Sequence, residues 1–261
     1  NSTTGNSINT SNIKAPSSFT DIKGWAETGQ NMMQSITSSM NGGSSGSMGG
    51  EAEGTYIARD AGQFNAGPNV VPADGQEVKS PTVKGGPPGL QPYLQAKLYR
   101  KGTLKNGRPK YVSDNPAMNA FLTIESSGDA GVVNRLGYAG LGQFKAPAWN
   151  EASKYVEGGL PAFSTYGSAL DPGLNFAAIK GYMVANANLL SKYGIPVDHP
   201  AHLYLAHQQG PGGFAQIYRA AKGGGSMRAD IIRNMKNNPP PKDYLQGPLT
   251  PVTYYNAWLN R

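Results

Sequence analysis

The sequence predicts a mainly α-helical protein with an extended N-terminal arm rich in glycine, serine and proline. Helix start signals, each a capping residue followed by proline, recur in the C-terminal part of the chain. No strand pattern of comparable strength appears. The 35 Gly, 20 Pro and 38% hydrophobic residues are too unevenly spread for two well-packed cores in 261 residues. We therefore expect an arm at residues 1–89 and one helical domain at residues 90–261.

The arm contains one segment with a helical pattern. Apolar residues recur at spacings near three and four within residues 18–40, which predicts an amphipathic helix. This helix docks either on another protein or back onto the domain. The stretch 41–50 has the composition of a flexible linker, and the X-Pro steps of residues 51–89 favour extended backbone.

The domain begins where helix signals replace the proline-rich pattern. Asn115-Pro116 opens a helix that ends at Glu125, and Asp171-Pro172 opens a longer one that ends at Gly194. The remaining predicted helices are 200–209, 213–222, 226–237 capped by Ser226, and 251–260 after Thr250-Pro251. The sequence is also compatible with a small β element at residues 99–112 or 131–140.

Composition excludes several function classes. The chain has no cysteine, so it has neither disulfides nor thiolate sites. The net charge of +7 is spread along the chain, which argues against a nucleic-acid partner. No apolar run reaches about 18 residues, so we expect no transmembrane segment. His199, His202 and His207 lack a neighbouring acidic cluster, and we expect no metal and no cofactor.

Glu125 is the leading candidate for a catalytic group. It follows Phe121, Leu122 and Ile124 near the end of the predicted helix, beside a glycine-rich turn. Partial burial raises the pKa of a carboxyl, and the negative end of a helix raises it further. A raised pKa is what a glycosidase needs to protonate a glycosidic oxygen near neutral pH. The alternative is a solvated or ion-paired carboxylate at a helix end.

Four short stretches occur in an order typical of one enzyme family. They are Glu125-Ser126-Ser127, Gly140-Leu141-Gly142-Gln143-Phe144, Ala206-His207-Gln208-Gln209-Gly210-Pro211-Gly212-Gly213 and Tyr254-Tyr255. In this order they resemble the four motifs of lytic transglycosylases with the goose-type lysozyme fold. The resemblance covers roughly the last 150 residues and implies a lysozyme-like domain of the soluble lytic transglycosylase type.

The resemblance also implies a substrate cleft around Glu125. The matching residues expected to bind substrate are Ser126, Gly142, Gln143, Phe144, His207, Gln208, Tyr254 and Tyr255. In the family a C-terminal tyrosine contacts the catalytic glutamate, so Tyr254 or Tyr255 is expected on Glu125. The chain departs from the usual pattern at Gly142, which removes a side chain expected to line the cleft. His207 and Gln208 replace the usual tyrosine and asparagine, and His207 is either a cleft residue or a core histidine.

The expected reaction depends on how many carboxylates the site has. Ordinary glycoside hydrolases use two, and Asp129 is the nearest second candidate. The resemblance implies instead a single glutamate that protonates the bond between N-acetylmuramic acid and N-acetylglucosamine and leaves a 1,6-anhydro end. A water held by Asp129 would favour a lysozyme-type hydrolase. A structural or assembly protein that retains the fold is the third alternative.

The expected setting follows from the same resemblance. It implies peptidoglycan as the substrate, and the arm is expected to attach the domain to a larger protein assembly. Such modules belong to phage virions and to secretion or conjugation systems that cross a cell wall. The expected location is therefore the cell envelope, the periplasm or a virion.

Overall fold

The computed structural model describes residues 71–261. This part of the chain is mainly helical, as predicted, with eight α-helices and one three-stranded sheet. The predicted amphipathic helix at 18–40 and the linker at 41–50 lie outside the described residues. Within residues 71–261 no helix has the length and apolar character needed to cross a membrane.

A small antiparallel sheet precedes the main helices. Its strands, in spatial order, are β1 (Glu77–Val78), β2 (Leu98–Thr103) and β3 (Pro109–Ser113). Strands β2 and β3 form a hairpin in which Arg100 pairs with Tyr111, which confirms the β element at 99–112. The stretch 131–140 forms only isolated bridges through Ala139 and is otherwise a loop.

The helices follow the predicted order with two additions. They are α1 (Gln91–Leu94), α2 (Pro116–Ser126), α3 (Ala146–Ser153), α4 (Pro172–Lys192), α5 (Pro200–Gln209), α6 (Pro211–Ala221), α7 (Ala229–Asn237) and α8 (Pro251–Leu259). Helices α1 and α3 were not predicted, because four and eight residues give too few turns for a clear periodic pattern.

Side-chain caps set the start of four of these helices, and the one at His199 before α5 was not predicted. The side chains of Asn115, Asp171 and Thr250 accept hydrogen bonds from backbone N–H groups in the first turns of α2, α4 and α8, as predicted. The prediction that Ser226 caps α7 is wrong. That helix begins after Arg228, which makes no side-chain cap, so its start depends on tertiary packing.

Helix α4 lies at the centre of the helical core. It contacts α3, α5 and α6, and its buried residues occupy every side of the helix. A Cβ atom on Gly181 would lie 2.5 Å from the main-chain oxygen of Ala152, so glycine is what lets α3 approach α4 so closely.

Residues 78–89, which belong to the predicted arm, lie against the helical core. Val78 is buried in it, and the hydroxyl of Ser80 donates to the main-chain oxygen of Gly173 at 2.9 Å. The backbone N–H of Lys84 donates to the oxygen of Tyr155 at 2.9 Å. These contacts make residues 78–89 part of the packed domain, so extended backbone here does not mean a separate arm.

Candidate active site

Glu125 lies in the last turn of α2, where the helix stops abruptly. Ser127 and Gly128 adopt positive φ angles of 59° and 78°, which ends the helix in a left-handed turn. A Cβ atom on Gly128 would lie 2.3 Å from the main-chain oxygen of Tyr111, so only glycine lets this turn meet strand β3. The contact with the sheet holds the Glu125 turn in place.

The pKa of the Glu125 carboxyl is raised to about 7, and burial is the largest cause. Part of the residue's surface remains accessible, whereas the carboxyl is surrounded by protein atoms. A hydrogen bond from Tyr204 and the positive charge of Arg261 act in the opposite direction and lower the pKa. Glu125 is therefore divided between its protonated and ionised forms near neutral pH.

Tyr204 provides the hydroxyl that contacts Glu125. It lies on α5 with 7% of its surface exposed, packs edge-on against Phe121 with ring centroids 5.5 Å apart, and contacts Trp258 at 4.9 Å. Burial and the Glu125 carboxylate raise the pKa of Tyr204 well above its ordinary value, so it donates the hydrogen bond. Tyr204 was not among the residues predicted from the sequence. Its position four residues before Gln208, on the same face of α5, was the available signal.

The expectation that Tyr254 or Tyr255 contacts Glu125 is corrected by these contacts. The Tyr254 hydroxyl donates to Oε1 of Gln208 at 2.8 Å, and Nε2 of Gln208 donates to the Tyr204 hydroxyl at 3.2 Å. Tyr254 thus reaches Glu125 only through two other side chains. The Gln208 amide bonds protein groups on both sides, which makes it a support for Tyr204.

Tyr255 points to a different part of the core. Its hydroxyl lies 2.8 Å from Nε2 of His202, and Nδ1 of His202 lies 2.7 Å from the main-chain oxygen of Pro196. Since that oxygen only accepts, Nδ1 carries the proton and Nε2 accepts from Tyr255. Tyr255 therefore fixes His202 and is separate from the contacts at Glu125.

His207 lies in an aromatic surrounding that includes Phe121 of α2. Its ring is 4.7 Å from Phe121, 5.5 Å from Phe144 and 5.6 Å from Tyr182, all in edge-on contacts. Burial lowers the pKa of His207 to about 4, and Nε2 lies 3.0 Å from the main-chain oxygen of Gly142. His207 is therefore neutral near pH 7, with the proton on Nε2, and joins α5 to the loop before α3.

Gly142 is a packing position. A Cβ atom there would lie 2.6 Å from Cγ1 of Ile179 and 2.7 Å from Cε2 of Phe144. The Gly142 N–H donates to Oδ1 of the buried Asn175 at 2.8 Å. The expectation that a side chain here would line a cleft is therefore corrected, because the position faces helix α4.

The two residues that follow Gly142 differ in role. Gln143 has a positive φ of 48°, and its side-chain amide donates to the oxygen of Gly140 at 2.9 Å, which folds the side chain over its own turn. Phe144 is 1% exposed and packs edge-on against Trp149 at 6.0 Å. Gln143 remains half-buried, whereas Phe144 belongs to the core.

Ser126 and Asp129 are both buried and bonded within the protein. The Ser126 hydroxyl donates to the main-chain oxygen of Leu122 at 3.2 Å. The Asp129 carboxylate accepts from Asn106 at 2.9 Å, from Arg108 at 3.4 Å and from the N–H of Gly131 at 2.8 Å. Both oxygens of Asp129 are thus bonded to protein donors, which marks it as a loop anchor.

The site therefore presents one carboxyl with a raised pKa. Within residues 71–261, no second carboxylate is among the groups that shift the pKa of Glu125. No group of three or more His, Asp or Glu residues in that described part could hold a metal ion. Such an arrangement can donate a proton to a bound substrate and take one back.

Comparison of the chain with protein-family models, with curated proteins and with solved structures gives no match.

Proposed function

We propose that this protein is a peptidoglycan lytic transglycosylase with a lysozyme-like helical domain. The observation that supports the proposal most is the environment of Glu125. Its carboxyl has a pKa of about 7, is held by the Tyr204 hydroxyl, and is acted on by no second carboxylate of residues 71–261. A lone acid of this kind suits a reaction in which one group serves first as acid and then as base.

In the proposed reaction Glu125 donates its proton to the oxygen of the bond between N-acetylmuramic acid and N-acetylglucosamine. The bond from that oxygen to the muramoyl C1 breaks, and the acetamido group of the same sugar assists. Glu125, now a carboxylate, takes the proton of the 6-hydroxyl as the 6-oxygen bonds to C1. The product carries a 1,6-anhydro ring, and Glu125 returns to its protonated state.

Tyr204 would serve the second half of this cycle. A donor that bonds the carboxylate stabilises the ionised form, which appears only after proton transfer. Burial favours the protonated form that starts the cycle. The balance of the two effects near pH 7 lets one carboxyl perform both steps.

The proposed setting is a cell envelope, a periplasm or a phage virion. There the domain would open the wall locally as part of a larger assembly. Attachment to that assembly is proposed for the N-terminal part of the chain before the packed domain.

The test is digestion of purified peptidoglycan, with mass spectrometry of the released muropeptides. The wild-type chain is expected to release 1,6-anhydro products, and Glu125→Gln is expected to release none. Glu157→Gln is the matched control, because Glu157 is an exposed carboxylate paired with Lys84 on the surface.

Other product patterns would contradict the proposal. Reducing-end products that disappear in Glu125→Gln would identify a lysozyme-type hydrolase. An equal yield from wild type and Glu125→Gln would remove Glu125 from the chemistry. No product from a folded wild-type chain would indicate a structural or assembly protein.

A further inference from the structure

A continuous chain of side-chain hydrogen bonds ends at Glu125. We call it the amide–tyrosine chain, and it links helices α7, α5 and α8 to α2. From its far end it runs through Asn238, Asn234, Gln209, Tyr254, Gln208 and Tyr204 to Glu125.

The direction of the chain is set at its far end by a main-chain carbonyl. Nδ2 of Asn238 donates at 3.0 Å both to the main-chain oxygen of Asn234 and to its Oδ1. Because a carbonyl oxygen only accepts, the nitrogen of the Asn238 amide must face it. Oδ1 of Asn234 is thereby an acceptor, and its Nδ2 donates to Oε1 of Gln209 at 2.8 Å.

The hydrogen bonds in the middle of the amide–tyrosine chain run in the same direction. With its oxygen occupied by Asn234, Gln209 uses Nε2 to donate to the Tyr254 hydroxyl at 2.9 Å and to Oε1 of Gln208 at 3.0 Å. The Tyr254 hydroxyl donates to the same Oε1 at 2.8 Å. Turning the Gln208 amide over would bring its NH2 group against the NH2 group of Gln209, so its oxygen must stay on this side.

The hydrogen bonds at the Tyr204 end of the amide–tyrosine chain therefore have only one possible direction. Nε2 of Gln208 faces Tyr204 and donates to its hydroxyl at 3.2 Å. Because Nε2 of Gln208 is itself a donor, the Tyr204 hydroxyl cannot donate to it. The hydroxyl proton is therefore available for the Glu125 carboxylate. Tyr204, Tyr254 and Gln209 are each at most 7% exposed, which leaves little room for water to compete within the chain.

We propose that the amide–tyrosine chain fixes the Tyr204 hydroxyl as a donor to Glu125, and that Gln209 and Tyr254 are positioning residues that act through it. The chain keeps Tyr204 from turning its proton toward Gln208. The carboxylate therefore has a donor at the moment it forms. The catalytic meaning of this role rests on the proposed function, whereas the hydrogen-bond direction does not.

The test measures the pKa of Glu125 directly, by ¹³C NMR of its carboxyl in the full chain without substrate. Tyr204→Phe is expected to raise it by about one unit, a tenfold change in the ionisation constant, because the carboxylate loses its donor. Gln209→Met is expected to raise it by less. Without the Gln209 donor, the Gln208 amide can turn over and accept the Tyr204 proton. The double variant is expected to match Tyr204→Phe, since no hydroxyl remains to be redirected.

The matched control is Tyr255→Phe, which removes the same atom from the adjacent tyrosine outside the chain and should leave the Glu125 pKa unchanged. Amide spectra report whether each variant folds. Asn234→Leu, at a half-buried position, frees Gln209 to turn over and replaces Gln209→Met if that variant does not fold. Arg261, the other group that lowers the Glu125 pKa, is the same in all of them.

Two results would overturn the inference. One is an unchanged Glu125 pKa in folded Gln209→Met or Asn234→Leu. The other is a shift that adds in full to that of Tyr204→Phe, which would mean that the remote residue acts by some other route. Because no substrate is present, the expected shifts without glycan cleavage would refute only the proposed function. Glycan cleavage without the expected shifts in the Glu125 pKa would refute only the proposed role of the amide–tyrosine chain.

Discussion

The Tyr204 hydroxyl donates a hydrogen bond to the Glu125 carboxyl and opposes the effect of burial on it. Burial favours the protonated acid, and the hydrogen bond favours the carboxylate. The two residues come from different helices, α2 and α5, so their contact depends on how those helices pack. The pKa of about 7 is the result of this balance.

The raised pKa of Glu125 predicts a pH-dependent stability. The folded state, with a pKa of about 7, binds a proton between pH 4.5 and 7 that the unfolded state has released. The contribution of Glu125 to the stability of the folded state is therefore present below pH 4.5 and is lost as pH rises through 7. Glu125→Gln keeps a neutral side chain, so it should unfold like wild type at pH 4.5 but be more stable by about 3 kcal/mol at pH 8.

Urea unfolding of both proteins at the two pH values checks this. Wild type and Glu125→Gln share every other titrating group. The test is therefore how far the difference between their free energies of unfolding changes from pH 4.5 to pH 8. A constant difference would mean that the Glu125 carboxyl ionises as freely in the folded protein as in the unfolded chain.

His207 is predicted to stay neutral across the range in which histidine usually titrates. Burial lowers its pKa to about 4, so the folded state binds fewer protons than the unfolded state between pH 4 and 6.5. Its contribution to stability is present above pH 6.5 and is lost as pH falls toward 4. ¹⁵N NMR should show protonated Nε2, unprotonated Nδ1 and no titration between pH 8 and 5. A midpoint near 6.5 would contradict the buried contact with Gly142.

Gly142→Ala is predicted to destabilise the protein. Its methyl group would overlap Ile179 and Phe144, and overpacking of this kind costs about 1–3 kcal/mol. Gly212→Ala is the matched control, because its Cβ would meet nothing closer than 4.0 Å and alanine favours a helix. Thermal unfolding should show a lower Tm for the first variant and an equal or higher Tm for the second. Equal Tm values for Gly142→Ala and wild type would mean that the loop relaxes freely.

Asp129→Asn is predicted to lower stability without changing the product. An amide NH2 in place of either carboxylate oxygen would face a donor, at Asn106 and Arg108 or at Gly131, which costs about 1–3 kcal/mol. Folded Asp129→Asn should release the same muropeptides as wild type. Loss of product at unchanged stability would instead identify Asp129 as a catalytic base.

Much of the helical framework could be predicted from the sequence, because capping is local. Asn115, Asp171 and Thr250 each bond N–H groups within three residues, so the start of their helix does not depend on the rest of the chain. The start of α7 could not be predicted in this way, since no side chain caps it. The short helix α3 was missed, because its pattern extends over only eight residues.

The sequence by itself determined that Glu125 lies near the end of an apolar helix and that Asp129 is the nearest other carboxylate in the chain. Only the tertiary structure decided which tyrosine reaches it, because the packing of α2 against α5 brings Tyr204 to Glu125 across 79 residues of chain. It also decided that Gly142 faces Ile179 in place of a cleft, and that Tyr254 and Tyr255 bond to different groups. Hydrogen bonds between helices depend on angle and distance in space, and spacing along the chain does not encode either one.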